Sequence, residues 1–179
     1  MRVMNLAPYL DASTLVVFCG TQAVTHVANR LVAWLALRGP LGVIDAGNRL
    51  QPYRLAHFLR EHTPQAEVFA QHIHLRRAFT AHQVVAALET TPALSTPLVV
   101  LDLLATFYDE TLPLPQARVL LQRSLAHLER LRQTTPLFIT VRPPSRPSRR
   151  DFLEAIYRSA TVVFLDPEPS SALSQPHLL

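Results

Sequence analysis

The 179-residue sequence contains no lysine, so all 17 of its basic side chains are arginine. The chain therefore cannot form a lysine Schiff base or carry the phosphate-binding motif G-x-x-x-x-G-K-S/T. Glycine is scarce as well: the last of four is Gly47, which leaves no place for a G-x-G-x-x-G dinucleotide turn. The single cysteine, Cys19, excludes an internal disulfide and a zinc site made only of cysteines.

The rest of the composition is that of an ordinary folded domain. Hydrophobic residues make up 49% of the chain and charged residues 17%, which argues against disorder. Every apolar run is interrupted before it reaches the roughly 18 residues that a membrane span needs, so no membrane partner is expected. The first residues lack the apolar core of a signal peptide, which predicts a cytoplasmic protein. We expect a single core domain over residues 1–166 and a flexible Pro/Ser-rich tail over residues 167–179.

Short apolar, β-branched runs alternate with longer runs of helical period along the chain. Strands are predicted at residues 13–19, 41–45, 68–75, 98–102, 136–141 and 161–165, and helices at 23–37, 52–61, 81–89, 116–132 and 149–159. Continuous apolar strands separated by helices are typical of a mainly parallel sheet with helices on both faces. The sequence therefore predicts an α/β fold whose ligands bind beyond the carboxyl ends of the strands.

Several short motifs follow one another in a recognisable order. Residues 43–55, V-I-D-A-G-N-R-L-Q-P-Y-R-L, are similar to I-D-T-E-G-x-F-x-P-x-R-L, and residues 77–83, R-A-F-T-A-H-Q, to A-R-A-F-N-x-D-H-Q with one residue fewer. Residues 98–102, L-V-V-L-D, look like a Walker B strand. In this order, from about residue 15 to residue 165, the motifs resemble the ATPase core of the RecA/RadA family of recombinases. The resemblance implies a RecA-like P-loop NTPase core, with Thr140 at the place of the family's strand-end switch residue.

The resemblance also identifies which parts of the ATPase site have been replaced. The phosphate loop corresponds to residues 20–27, where Thr25 replaces the second glycine, His26 the lysine and Val27 the magnesium-binding hydroxyl. Gly47 replaces the catalytic glutamate. The expected degenerate nucleotide site comprises Gly20, Thr21, Thr25, His26, Gly47 and Asp102. We expect no catalytic residue in it and no ATP or magnesium cofactor; the alternative is a residual anion site at the start of helix 23–37.

Two loops correspond to those that hold DNA in the family. The first, residues 107–115, is acidic and unsuited to phosphate. The second, residues 142–150, contains three prolines and no acid, and its arginines Arg142, Arg146, Arg149 and Arg150 are the predicted DNA-binding residues. The net charge of +4 permits such binding without establishing it. The alternative is a solvated, Pro-rich surface loop.

Other candidate sites compete with simpler explanations. His72 and His74 alternate along a predicted strand, but no carboxylate converges on them, so no metal site is predicted. Cys19 ends a strand and is expected to be a buried apolar residue rather than a nucleophile. Asp45 and Asp102 both end strands, and an alternative hypothesis gives them a magnesium ion for phosphoester hydrolysis.

The sequence thus favours a catalytically inactive RecA/RadA-like paralog. We expect it to act as an accessory or structural subunit in DNA recombination or repair. Its expected partners are DNA and a protein, namely a recombinase, a polymerase or another copy of the chain. The apolar segment at residues 6–10 is a candidate for docking on another subunit. The alternatives are the metal-dependent phosphoesterase or nuclease and a protein-interaction scaffold without nucleic acid.

Overall fold

Six parallel strands form one sheet in a computed structural model of the protein, which describes residues 6–166. The strands are β1 (Leu15–Cys19), β2 (Leu41–Asp45), β3 (Ile73–Arg77), β4 (Leu98–Leu101), β5 (Leu137–Val141) and β6 (Val162–Leu165). Their order across the sheet is β3-β2-β4-β5-β1-β6, and every neighbouring pair is parallel. The strands β1, β4 and β5 are buried along their whole length and almost entirely apolar because both of their faces are covered.

Six α-helices connect the strands. They are α1 (Ala28–Ala36), α2 (Pro52–His62), α3 (Ala66–Ala70), α4 (Ala81–Thr90), α5 (Leu114–Arg132) and α6 (Arg150–Ser159). A π-helical segment, Ala23–Val27, runs directly into α1, so together they form the long helix predicted after β1. Proline at the first turn begins both α2 and α5, where its missing N–H would have had no helical partner.

Successive residues of each central strand point to opposite faces, which divides the core into two layers. Leu15, Val17 and Cys19 of β1 pack with α4, α5 and α6, whereas Val16 and Phe18 pack with α1, α2 and α3. Helices therefore cover both faces of the sheet, which confirms the predicted α/β fold class. The architecture is consistent with a RecA-like core.

One expectation from the sequence was wrong in detail. The third strand was predicted at residues 68–75, but the chain forms the short helix α3 at Ala66–Ala70 and enters β3 only at Ile73.

The segment at residues 6–10, the candidate for docking on another subunit, packs in part on its own domain. Leu6 is buried in the α1 layer, and the ring of Tyr9 lies edge-on to Phe164 at 5.9 Å.

The described part of the chain, residues 6–166, contains no helix that is both long enough and apolar enough to cross a membrane. The expected Pro/Ser-rich tail, residues 167–179, lies outside the described residues.

Candidate functional site

The carboxyl ends of the strands lie along one edge of the sheet, and most of the predicted site residues are found there. Gly20 follows β1, Asp45 and Gly47 lie at the end of β2, Asp102 follows β4, and Arg142 follows β5. Because all the strands are parallel, segments far apart in sequence become neighbours at this edge. The structure thus brings together the residues expected to form the degenerate nucleotide site.

A carboxylate of the protein itself lies at the segment that the resemblance assigns to the phosphate loop, residues 20–27. Asp166, directly after β6, accepts hydrogen bonds at Oδ2 from the backbone N–H groups of Gln22, at 2.5 Å, and Ala23, at 3.1 Å. Its own N–H donates to the carbonyl of Cys19 at 2.8 Å, which fixes the residue against β1. These N–H groups begin the helix and are the donors that an anion would use in this fold. The residual anion site considered from the sequence is therefore filled by Asp166.

Gly20 is necessary for this arrangement. Its φ of +141° lies in a region that side chains rarely adopt, and a Cβ at this position would collide with the carboxylate of Asp166. Because Gly20 has no side chain, the carboxylate of Asp166 can reach the N–H groups at the start of the helix.

The polar side chains that follow in the loop are engaged within the domain. The hydroxyl of Thr25 donates to the carbonyl of Thr21 at 2.9 Å, a hydrogen bond within the helical turn. His26, at the position of the lysine, has Nδ1 2.9 Å from the guanidinium of Arg54. Val27 is half-buried against the α1 layer. None of the three side chains supplies the positive charge or the metal ligand that the family's loop supplies at these positions.

Asp102 is fully buried and bound to arginine. Its Oδ2 accepts a hydrogen bond from Nε of Arg49 at 2.7 Å and lies 3.4 Å from Nε of Arg142. Among residues 6–166, no donor lies within hydrogen-bonding distance of Oδ1. The hydroxyl of Thr140 accepts the N–H of Asp102 at 2.9 Å, so the predicted switch residue supports this turn. Asp102, the residue that the resemblance assigns to the Walker B strand, thus forms a cluster of charged groups with Arg49 and Arg142.

Asp45 has a structural function at this edge. Its two carboxylate oxygens accept the N–H groups of Arg49, at 2.8 Å, and Leu50, at 3.0 Å, which closes the turn after β2. Asp45 is buried, and both oxygens are in use, so a shared magnesium ion with Asp102 would have to displace these hydrogen bonds. Within the described residues, no group of three or more His, Cys, Asp or Glu side chains converges in a way that could hold a metal ion.

Gly47 lies directly against the carboxylate of Asp102. A Cβ at this position would lie 2.6 Å from Cβ and 2.7 Å from Oδ2 of Asp102. No side chain fits here without movement of a buried residue. The position to which the resemblance assigns the catalytic glutamate therefore has no space for a side chain.

The thiol of Cys19 is buried in the α4–α6 layer. Burial is the main cause that raises its pKa, the hydrogen bond with Tyr157 lowers it in part, and the charge of Asp166 raises it further. A thiol whose pKa is raised is a poor nucleophile at neutral pH because little of it is thiolate. This environment agrees with the expectation of a buried apolar residue.

The four arginines predicted to bind DNA have different surroundings. Arg142 faces Asp102, and Nε of Arg146 lies 2.6 Å from a carboxylate oxygen of Glu110. Arg149 is buried, and its guanidinium donates to the carbonyls of Phe107 and Leu112.

The prediction of Arg149 as a phosphate ligand needs correction, since the side chain holds the two loops together from inside the protein. The side chain of Arg150 is exposed and contacts no carboxylate within residues 6–166. Two of the other three arginines are thus already paired with acids of the same domain, which leaves Arg150 as the one unpaired member of the predicted set in the described structure.

The histidines are dispersed rather than clustered. His72 precedes β3 and its Nδ1 lies 2.7 Å from the carbonyl of Ala36, whereas His74 is exposed on β3. His57 lies 3.3 Å from a carboxylate oxygen of Glu61 on α2. Each of these three side chains is accounted for by its own neighbours or by solvent.

Two residues of the site were missed from the sequence. Asp166 is separated from Gln22 by 144 positions, and Arg49 from Asp102 by 53. No local pattern marks either of them. The one available signal is indirect: both follow strands that the sequence predicts correctly, at an edge where parallel strands end together.

The pH dependence of stability is expected to reveal the burial of Asp102. Burial is the largest influence on its pKa and raises it above 3.8, although the hydrogen bond from Arg49 and the charge of Arg142 lower it in part. The native state then holds this proton more tightly than the unfolded chain, so rising pH above 3.8 removes stability. The difference in unfolding free energy between wild type and Asp102→Asn should therefore fall as the pH rises above about 4. Urea denaturation measures it, and a difference that rises with pH would contradict the raised pKa.

This edge of the sheet offers two arginines around one buried aspartate, a helix start capped by an internal carboxylate, and a buried thiol. No protein-family model matches the chain, and no curated protein matches it significantly.

Proposed function

We propose that the protein is a catalytically inactive RecA/RadA-like subunit that serves as an accessory or structural component in DNA recombination or repair. The observation that carries this proposal is the carboxylate of Asp166 on the N–H groups of Gln22 and Ala23. A nucleotide in this fold would place its phosphates on the same donors, and a fixed carboxylate repels them.

The other positions of the site support the same proposal. A RecA-type ATPase needs a lysine on the phosphates, a magnesium ligand and a glutamate that orients water. Here the corresponding residues are His26, Val27 and Gly47, and Asp102 is hydrogen-bonded to Arg49 rather than exposed to a metal. The replacements lie on two different segments, residues 26–27 and residue 47, so loss of catalysis does not depend on one substitution.

A protein partner is supported by the outer edge of the sheet at β3. Within residues 6–166 no further strand pairs with this edge, and Leu75 is partly exposed on it. Val68 and Phe79, in the segments flanking β3, are also largely exposed. We infer a recombinase, a polymerase or a second copy of the chain as the partner.

The protein is expected not to bind ATP with micromolar affinity and not to hydrolyse it, because Asp166 occupies the phosphate position and no lysine is present to offset it. Equilibrium dialysis with ATP and magnesium, together with a phosphate-release assay, measures both properties. Micromolar binding with turnover would overturn the proposal.

Asp166→Ala is the matched variant for this experiment. The variant frees the N–H groups of Gln22 and Ala23, so inorganic phosphate should raise its melting temperature and leave that of wild type unchanged. Equal responses of the two proteins would show that Asp166 is not what keeps anions from the loop.

The accessory role is tested separately with the recombinase of the same host. We expect the protein to co-elute with the recombinase or the polymerase in gel filtration and to change the rate of DNA strand exchange or of lesion bypass. Absence of both effects would contradict the accessory role. Metal-dependent hydrolysis of a generic phosphodiester would support the phosphoesterase alternative instead.

A further inference from the structure

A groove of about 300 Å³ lies between α1 and α2, beside His26. It is lined by His26, Asn29, Arg30, Tyr53, Arg54, His57, Phe58 and Glu61. The groove shares His26 with the expected nucleotide site and Tyr53 and Arg54 with the motif at residues 43–55, but neither assigns a ligand to this surface. Its residues combine positive charge with aromatic rings, which is unusual in a chain with few aromatic residues.

The groove carries unneutralised positive charge. Arg30 and Arg54 line it, and within residues 6–166 neither guanidinium has a carboxylate partner. The one acid in the lining, Glu61, lies 3.3 Å from His57. Two arginines without a carboxylate partner among the described residues therefore line the same space, and guanidinium groups are suited to binding phosphate oxygens.

Aromatic rings lie beside these arginines. The side chain of Tyr53 is 81% exposed although it belongs to the first turn of a well-formed helix. Phe58 is half-buried, with the guanidinium of Arg30 5.5 Å from its ring centre and the imidazole of His62 stacked on it at 4.2 Å. Exposed aromatic faces beside arginines are what sequence-tolerant binding of nucleobases requires.

The walls of the groove are held in place by buried hydrogen bonds. The amide of Asn29, on α1, donates to the carbonyls of Thr25 and Arg49 and accepts the N–H of Gln51 at 2.8 Å. These bonds fix α1 to the segment that begins α2. The contact between Arg54 and His26 joins the two helices again at 2.9 Å. The groove is therefore present before a ligand binds, which reduces the entropic cost of binding.

We propose that this groove binds single-stranded nucleic acid, with a base stacked on Tyr53 and the backbone phosphates held by Arg30 and Arg54. An acidic peptide would use the arginines but leave the ring of Tyr53 without a stacking partner. Binding of nucleic acid by the groove does not depend on the proposed function; only its assignment to DNA recombination or repair does. The contact would lie on α1 and α2 rather than on the loop 142–150.

Fluorescence anisotropy of a labelled oligothymidylate of about 15 nucleotides, at about 50 mM salt, tests the groove directly. The double variant Arg30→Ala/Arg54→Ala should weaken binding at least tenfold and lower the slope of log affinity against log salt by about 1.4. Tyr53→Ala should weaken binding about fivefold or more through lost stacking. Tyr53 is exposed and Arg30 and Arg54 have exposed side chains, so these variants should fold like wild type, which circular dichroism checks.

The matched control removes the same charge elsewhere. Arg77→Ala/Arg158→Ala takes away two exposed arginines that, within residues 6–166, have no carboxylate partner, and it should change the affinity less than twofold. An equal loss in both double variants would overturn the proposal in favour of diffuse charge attraction. Loss with the arginine variant but not with Tyr53→Ala, together with competition by polyglutamate, would overturn it in favour of an acidic peptide.

Failure of wild type to retain the oligonucleotide would also overturn the groove as a nucleic-acid site. That result would leave the proposed inactive subunit intact, because the dialysis and phosphate-release measurements do not involve the groove. Conversely, ATP turnover would overturn the inactive subunit without affecting the anisotropy result.

Discussion

Replacing Arg149 with methionine is expected to lower the free energy of unfolding by about 3 kcal/mol. The guanidinium is buried and donates to the carbonyls of Phe107 and Leu112, so its loss leaves two acceptors unsatisfied. Methionine retains much of the side-chain length beside Phe152 and removes only the donors. Urea denaturation followed by circular dichroism measures the change.

Arg150→Met is the control, since this neighbouring arginine is exposed and contacts no acid among the described residues. Its effect should stay within about 0.5 kcal/mol. Equal losses in the two variants would show that the hydrogen bonds of Arg149 do not stabilise the loops. A large loss confined to Arg149→Met would establish this residue as a structural part of the loop.

The contrast between Arg149 and Arg150 shows what the sequence could not predict about the loop. Both arginines lie in the same Pro-rich segment, and composition gives each the same expected role in DNA binding. Which of them is buried depends on where residues 107–112 pack, and those residues are about 40 positions away. A local charge count therefore identifies a basic loop but not which of its charges reach solvent.

The fold itself was largely predictable because most of its strands are buried on both faces. β4 is apolar at every position and β5 at all but Thr140, and both are buried along their whole length, so the sequence predicts each of them to within one residue at either end. β3 is the exception. It lies at the edge of the sheet and contains His74, Arg76 and Arg77, whereas the apolar pair of Val68 and Phe69 belongs to the preceding short helix. An exposed edge strand lacks the pattern by which the others are recognised.

The site was predictable in position and only partly in chemistry. A parallel sheet brings Gly20, Gly47 and Asp102 to one edge whenever their strands are correctly assigned. The sequence does not show that Asp166 and Arg49 belong to this site, because their contacts join segments that are far apart in sequence. The absence of lysine is visible in the sequence, but the contact of Asp166 with the N–H groups of Gln22 and Ala23 is visible only in the structure.

Restoring the family's glutamate by Gly47→Glu is expected to destabilise the protein by about 3 kcal/mol or more and to restore no ATPase activity. The Cβ of any side chain at position 47 would lie 2.6 Å from Cβ of Asp102, which is fully buried and cannot move freely. The added carboxylate would also lie close to that of Asp102 and repel it.

Two variants separate the steric part of this effect from the electrostatic part. Gly47→Ala introduces the close contact without a charge and should by itself cost about 1–3 kcal/mol. Gln51→Glu adds the same charge at an exposed position nearby and should change stability by less than about 0.5 kcal/mol. Denaturation curves of the three variants give the comparison. A Gly47→Glu protein that is as stable as wild type and hydrolyses ATP would contradict this prediction. It would mean that Asp102 can move away from position 47, and that its ion pair with Arg49 can be broken to form an active site.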